Sequence, residues 1–350
     1  MAMIVVLAAP VGAASDGPTP PWGGPGVAGP ASPRDVVLGN PDRLSARISA
    51  GASAARYPIE DGSGATVAVA VTDACEAVCT NADPQRIAGF VGTLIHGFEV
   101  ELLTVQLDTP SQLEYDCGYG AQACYYPSQD KIVLSGNEEP AADGASRDYV
   151  LAHEYGHHVA RHRDNPPPFP SPLDWGTARW SSHEHVCQGS RTGRLSAGSG
   201  GLHYFRDPGE AFAEAFARNR FPDSDLRWRW LPELEPDEAA LETIREDTLE
   251  PWTSRRSSRL AGRLRGRRDG PIVRRLRTPL DGMVSLRRAG QQRRYGLSLL
   301  SRAGQILRSS RDGLSFGHRL NFTVCGQSSL HLAISSGRPG APYKLEIQRP

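Results

Sequence analysis

Apolar residues recur at every second position from Ala65 to Val71 (Ala-Thr-Val-Ala-Val-Ala-Val), the period of a strand with one face turned to a core. Asp83-Pro84 then opens a helix, with the aspartate as N-cap and the proline at the first helical position, and the pattern carries it to about His96. Leu102 to Leu107 predicts a second strand. Tyr125-Tyr126 and Lys131-Ile132-Val133-Leu134 flank a Pro-Ser-Gln-Asp turn and predict a hairpin or an edge strand. From Val150 to His162 the period lengthens: Leu151, Tyr155 and Val159 fall at i, i+4 and i+8, one stripe of a helix. Further helices are predicted over Pro208–Arg218 and Pro236–Glu246. The intervening residues 163–205 are rich in Pro, Gly and Ser and predict a long loop, a feature usually tied to function.

The pattern changes after Trp252. Residues 255–277 are dense in arginine (Arg255-Arg256, Arg267-Arg268, Arg274-Arg275), which predicts a solvated, protease-sensitive connection rather than an anion-binding surface. Beyond it, Met283–Leu286, Tyr295–Leu300, Leu320–Val324, Ser329–Ile334 and Tyr343–Ile347 alternate in the manner of strands, separated by turn residues. That is the signature of a small all-β sandwich. The chain therefore divides into an α+β unit over residues 51–252, an arginine-rich linker over 253–276, and a β-sandwich over 277–350.

The amino terminus adds a compartment. Ile4 to Val11 is an apolar run followed by Gly12-Ala13-Ala14, small residues suited to cleavage, so residues 1–14 predict a secretion signal, although no Lys or Arg precedes the run. The run is too short to span a bilayer, which needs about 20 apolar residues. Residues 15–50 open with a Gly/Pro-dense stretch and predict a linker or propeptide remnant. Six cysteines suit an exported chain. No Cys-x-x-Cys pair is present to hold zinc, so disulfides are expected. Their connectivity is open, apart from a local bridge predicted between Cys117 and Cys124, where Gly118-Tyr119-Gly120 can turn. A net charge of zero excludes a whole-molecule polyanion-binding signature, and no nucleic-acid partner is expected.

The chemistry gathers on His153-Glu154-Tyr155-Gly156-His157. Two histidines four apart project from one helix face within reach of a single ion, and neutral imidazoles suit Zn2+ at about 2.0–2.1 Å. Glu154, beside them, is placed to take a proton from an activated water. A catalytic zinc needs a third protein ligand. The metzincin pattern would put glycine at position 160 and histidine at 163; Ala160 and Arg163 exclude it.

The next helix, Asp207-Pro208-Gly209-Glu210-Ala211-Phe212-Ala213-Glu214, carries two glutamates among alanine and phenylalanine. Burying such carboxylates is costly unless a cation or hydrogen-bond donors meet them. Glu210 also stands where a glutamate reaches back to the N–H of the Asp207 cap, which would leave Glu214 as the ligand. Glu184, in Ser-His-Glu-His, is a third candidate.

The pairing of His153-Glu154-Tyr155-Gly156-His157-His158-Val159 with Gly209-Glu210-Ala211-Phe212-Ala213-Glu214-Ala215-Phe216-Ala217 resembles the gluzincin group of zinc peptidases, and within it catalytic domains of the anthrax lethal factor type. The resemblance implies a zincin-like fold and makes Glu210 the zinc ligand, with Glu214 hydrogen-bonded to a ligand histidine. It also implies a tyrosine shortly before the ligand glutamate that steadies the oxyanion; Tyr204 is the nearest match, at a spacing one residue shorter, with His203 as competitor. The resemblance would have Lys131–Ser135 receive an extended substrate by strand addition, the alternative being an ordinary core strand. His158 is expected to pack rather than ligate. Tyr295–Leu299 and Tyr343–Ile347 are similar to the pre-peptidase C-terminal modules of secreted bacterial peptidases.

These readings converge on a secreted zinc endopeptidase, an enzyme expected to act as a monomer on protein or peptide substrates. Two alternatives are a secreted binding protein with an inactive zincin domain, and a zinc amidase of cell-wall peptides.

Overall fold

The computed structural model describes residues 54–138, 144–198, 201–265, 270–289, 295–310, 319–326, 329–336 and 339–350. The expected secretion signal and the segment up to residue 50 lie outside them.

A five-stranded sheet organises the first unit: β1 (Ala55–Pro58), β2 (Thr66–Val71), β3 (Thr104–Asp108), β4 (Ala123–Tyr126) and β5 (Lys131–Ser135), in the order β1-β2-β3-β5-β4. β2, β3 and β5 run parallel, while β1 and β4 are antiparallel strands at the two edges. Strand alternation gives the sheet two buried faces. Val67, Val69, Val105, Leu107, Ile132 and Leu134 join the main core, and Val133 turns the other way onto Leu113 and Tyr126.

This order corrects the expectation for Lys131–Ser135. β5 is hydrogen-bonded to β3 on one side and β4 on the other, so it has no open edge; the open edge belongs to β4. Strand order is set by long-range pairing, which the local pattern does not encode.

The helices are α1 (Asp73–Val78), α2 (Pro84–Gly92), α3 (Pro110–Cys117), α4 (Arg147–Arg161), α5 (Pro172–Trp175), α6 (Ala178–His183), α7 (Val186–Arg191), α8 (Pro208–Arg220) and α9 (Glu238–Leu249). Asp83 caps α2 as its sequence predicts, accepting from the N–H groups of Gln85 and Arg86. α2 nevertheless ends at Gly92, short of His96.

α4 lies between the sheet and α8, buried at Leu151, Tyr155 and Val159. The approach to α8 is close because position 156 has no side chain. A Cβ at Gly156 would lie 2.9 Å from the Cα of Ala213 and 3.0 Å from the Cβ of Phe216. The start of α8 is equally tight, where a Cβ on Gly209 would overlap the Leu173 carbonyl oxygen.

Residues 163–205 depart from the loop expectation. α5, α6 and α7 occupy this stretch, and Trp175, Trp180, Val186 and Cys187 enter the main core. The helices are four to six residues long, too short to present the periodicity by which a helix is read. At the end of α4, Arg163 donates to Glu99 at 2.7 Å and to the carbonyls of Asp247 and Thr248. Both charges of the pair are buried.

The C-terminal unit is a sandwich of β6 (Arg256–Arg263), β7 (Ile272–Arg277), β8 (Gly282–Arg288), β9 (Tyr295–Leu300), β10 (Ile306–Ser309), β11 (Arg319–Val324), β12 (Ser329–Ser336) and β13 (Pro342–Arg349). They form two four-stranded sheets, β10-β9-β12-β7 and β11-β8-β13-β6, around a core that includes Val284, Leu286, Leu297, Leu299, Leu332 and Leu345. The α+β reading followed by an all-β module therefore holds.

The arginine-rich linker does not. β6 pairs along its length with β13, and β7 pairs with β12, so the sandwich begins at Arg256. Arg256, Arg259, Arg263, Arg274, Arg275 and Arg277 take exposed positions, while Leu260, Leu264 and Leu276 supply the core side. The inward residues are too few for the pattern to read as strands.

Three disulfides join Cys75 to Cys79, Cys117 to Cys124 and Cys187 to Cys325. The predicted local bridge is the second. The third ties α7 to the sandwich, where the Asp281 N–H also donates to Ser182 Oγ at 2.9 Å and the Met283 N–H to the Pro167 carbonyl at 2.8 Å. A chain with three disulfides belongs to an oxidising environment. Among the described residues no helix is long and apolar enough to cross a membrane.

Candidate metal centre

The helix crossing brings the two halves of the sequence motif together. Ser146 caps α4 by accepting the Tyr149 N–H, and His153 and His157, one turn apart, face α8. From α8 the Glu210 carboxylate enters between them: Oε2 lies 3.5 Å from His153 Nε2 and 3.4 Å from His157 Nε2. The capping alternative for Glu210 does not hold the carboxylate. The Asp207 N–H is taken by the Tyr204 carbonyl at 3.1 Å, and the Asp207 side chain accepts the Gly209 N–H at 2.8 Å.

His153, His157 and Glu210 form a group whose ligand atoms all lie within 4.8 Å of one another, and they can hold a metal ion. The fit is testable on the donors themselves. Atoms bound tetrahedrally at 2.0–2.1 Å stand about 3.3–3.4 Å apart. The two observed histidine–carboxylate separations are close to that spacing, and two imidazoles with one carboxylate are a borderline donor set suited to zinc.

Behind the histidines stands Glu214. Its Oε2 is 3.2 Å from His153 Nδ1, and its Oε1 accepts the Tyr149 hydroxyl at 2.6 Å. This pins the ring of His153 with Nε2 aimed at Glu210. Burial disfavours a charge on His153, but the Glu210 and Glu214 carboxylates prevail and raise its pKa to about 10. A metal ion bound at this nitrogen would have to displace that proton.

Glu154 opens onto a cleft of about 190 Å³. The cleft is walled by Gln122 and Ala123 at the β4 edge, by Tyr149, Val150 and His153 of α4, and by Tyr204, Leu226, Arg227, Arg229 and Trp230. The indole of Trp230 stacks on His153 with ring centroids 6.3 Å apart. Tyr204, rather than His203, faces this space, with the Glu210 and Glu154 carboxylates near its phenol. Burial foremost, then the carboxylates of Glu210 and Glu154, push its pKa well above the ordinary tyrosine value, so it remains an O–H donor.

Other candidates fall outside the centre. Glu184 ends α6, where burial and then the charge of Asp237 raise its pKa to about 7; it joins neither the metal group nor the cleft. His158 takes no part in this centre: it is fully buried, with Nε2 donating to the Glu99 carbonyl at 2.8 Å. Sequence reasoning missed Tyr149, although it stands four residues before His153 on the same face. It also missed Trp230, which lies in irregular backbone and carries no periodic signal.

No protein-family model and no curated protein matches the chain. Among solved structures, it is similar to the SPBc2 prophage-derived protein YomS, at 8% identity and a TM-score of 0.20, covering 28% of this chain and 96% of that one. It is also similar to an aminopeptidase A of Legionella pneumophila in complex with aspartic acid. There the identity is 11% and the TM-score 0.25 over 83% of this chain, which spans 36% of the aminopeptidase's length. Likenesses of this strength carry no argument about function.

Proposed function

We propose that the protein is a secreted zinc-dependent endopeptidase of the gluzincin type. The observation that carries the reading is the convergence of His153, His157 and Glu210 at ligand spacing, with His153 and the neighbouring Glu154 lining an open cleft. Zinc held by these three side chains would supply Lewis acidity, polarising the scissile carbonyl and lowering the pKa of a water.

The chain's own groups account for the rest. Glu154 accepts the proton of the attacking water and later delivers it to the leaving amine. The Tyr204 phenol, held protonated, donates to the oxygen on which charge develops. Glu214 and Tyr149 keep His153 from rotating away. The open edge of β4, with Gln122 and Ala123 on the cleft wall, offers main-chain pairing to an extended peptide. Three disulfides support export.

The test is digestion of casein and a peptide library by the purified protein. Chelation should abolish cleavage, and Glu154→Gln should lower it by about 10²–10⁴-fold with zinc retained. Wild-type turnover by Glu154→Gln would rule the mechanism out. Cleavage confined to cell-wall peptides would favour the amidase reading.

A further inference from the structure

α4 and the residue that caps its C-terminus carry a second pair of histidines four residues apart, His158 and His162, on a different face from His153 and His157. From the turn between β4 and β5, Asp130 reaches both: its Oδ1 lies 2.8 Å from His162 Nε2 and 3.8 Å from His158 Nδ1. The Tyr125 hydroxyl completes the cluster, 3.1 Å from Asp130 Oδ1 and 3.0 Å from His158 Nδ1.

Counting protons shows what this cluster lacks. His158 Nε2 faces the Glu99 carbonyl at 2.8 Å, and a carbonyl only accepts, so Nε2 carries the ring proton. Nδ1 of His158 therefore presents a lone pair. The Tyr125 hydroxyl has one proton for two acceptors, the Asp130 carboxylate and that lone pair. Lone pairs from an imidazole, a carboxylate and a phenol converge here, with a further imidazole nitrogen against the same carboxylate oxygen.

We infer that Asp130 Oδ1, His158 Nδ1 and His162 Nε2 form a second divalent-cation site, of the zinc class, beside Tyr125. The three ligand atoms lie within 4.8 Å of one another. The separations of 2.8 and 3.8 Å straddle the edge of about 3.3 Å expected between donors on a tetrahedral zinc. Asp130, whose side chain is 31% exposed, gives an ion access from solvent and can shift to even the two distances. A cation there would fasten the β4–β5 turn to α4 and fix the β4 edge that walls the cleft. The ligand set shares no residue with the first centre, so the two sites load separately.

The test is zinc content of the dialysed full-length protein, with thermal melts in added zinc. Wild type should hold about two ions per chain and Glu210→Ala about one. Added zinc should raise the melting temperature of Glu210→Ala, and a further Asp130→Asn or His162→Ala change should remove both that rise and the remaining ion. Asp130→Asn keeps the volume of the side chain, so loss of the ion there is not a folding failure. One ion in wild type with none in Glu210→Ala would overturn the inference and leave the catalytic reading intact. One ion in both would instead place it here and sink the catalytic assignment.

Discussion

Glu214 holds His153 from behind, its Oε2 3.2 Å from Nδ1, while its other oxygen accepts the Tyr149 hydroxyl at 2.6 Å. Three side chains from two helices thus fix the direction in which one imidazole nitrogen points. Removing Tyr149 alone should show how much this direction matters. Tyr149→Phe keeps the ring and its packing on Phe221 but deletes the hydrogen bond. Zinc affinity or peptide cleavage should fall by about 10-fold, toward the lower end of losses from supporting partners. Competition with a chelator of known affinity measures it, and an unchanged affinity and rate would mean that Glu214 orients His153 without help.

The crossing of α4 and α8 predicts opposite signs for two glycine substitutions. In isolation Gly→Ala in a helix stabilises by about 0.5–1 kcal/mol. At Gly89 in α2 nothing lies near the added methyl, and that gain should be seen. At Gly156 the methyl meets backbone of Ala213, which cannot move without moving Glu210. Gly156→Ala should therefore destabilise by about 1–3 kcal/mol and lower zinc content as well. Chemical denaturation and metal analysis of both variants would check the contrast.

The parts of this fold legible in the sequence are those whose signals are local. Leu151, Tyr155 and Val159 mark the buried stripe of α4, Pro208 and Asp207 mark the start of α8, and the two histidines and Glu154 follow from spacing alone. What places Glu210 rather than Glu214 at the histidines is the rotation of α8 against Gly156, a tertiary fact. β5 looked available as an edge because its own residues cannot report that β4 pairs outside it. β6 and β7 were hidden for a different reason: strands whose outer face is arginine and whose inner face offers few leucines resemble a solvated linker.

Asp281 makes the junction with the sandwich sensitive to pH. Its Oδ1 accepts the Gly326 N–H at 2.7 Å, whereas Oδ2 is buried without a hydrogen-bond partner among the described residues. Burial raises its pKa from 3.8 to about 6, against the lowering effect of the Gly326 N–H. The folded state thus holds the proton more tightly than the unfolded one. The stabilisation is fully present below pH 3.8 and is lost as pH rises through about 6. The shift corresponds to roughly 3 kcal/mol. Asp281→Asn, which can still accept from Gly326, should melt higher than wild type at pH 7. The difference should vanish near pH 4, and parallel melting curves at both values would contradict it.

The disulfide between Cys187 and Cys325 changes what proteolysis should release. A solvated linker over residues 253–276 would let trypsin free the sandwich as a separate module. With β6 and β7 inside the sandwich, Arg256, Arg259 and Arg263 sit in a strand paired to β13, where a protease cannot draw the backbone into its site without unzipping the pairing. Cuts should therefore spare both strands while the fold is intact. Wherever a first cut falls between α9 and β8, Cys187 on one side and Cys325 on the other keep the fragments covalently joined. A brief digest should run as one full-length band without reductant and as two bands with it. Cys325→Ser should abolish the difference and let the fragments separate on gel filtration if the contacts through Ser182 and Pro167 do not suffice alone. Two separate bands from wild-type protein without reductant would show that the pairing of Cys187 with Cys325 is not formed in solution.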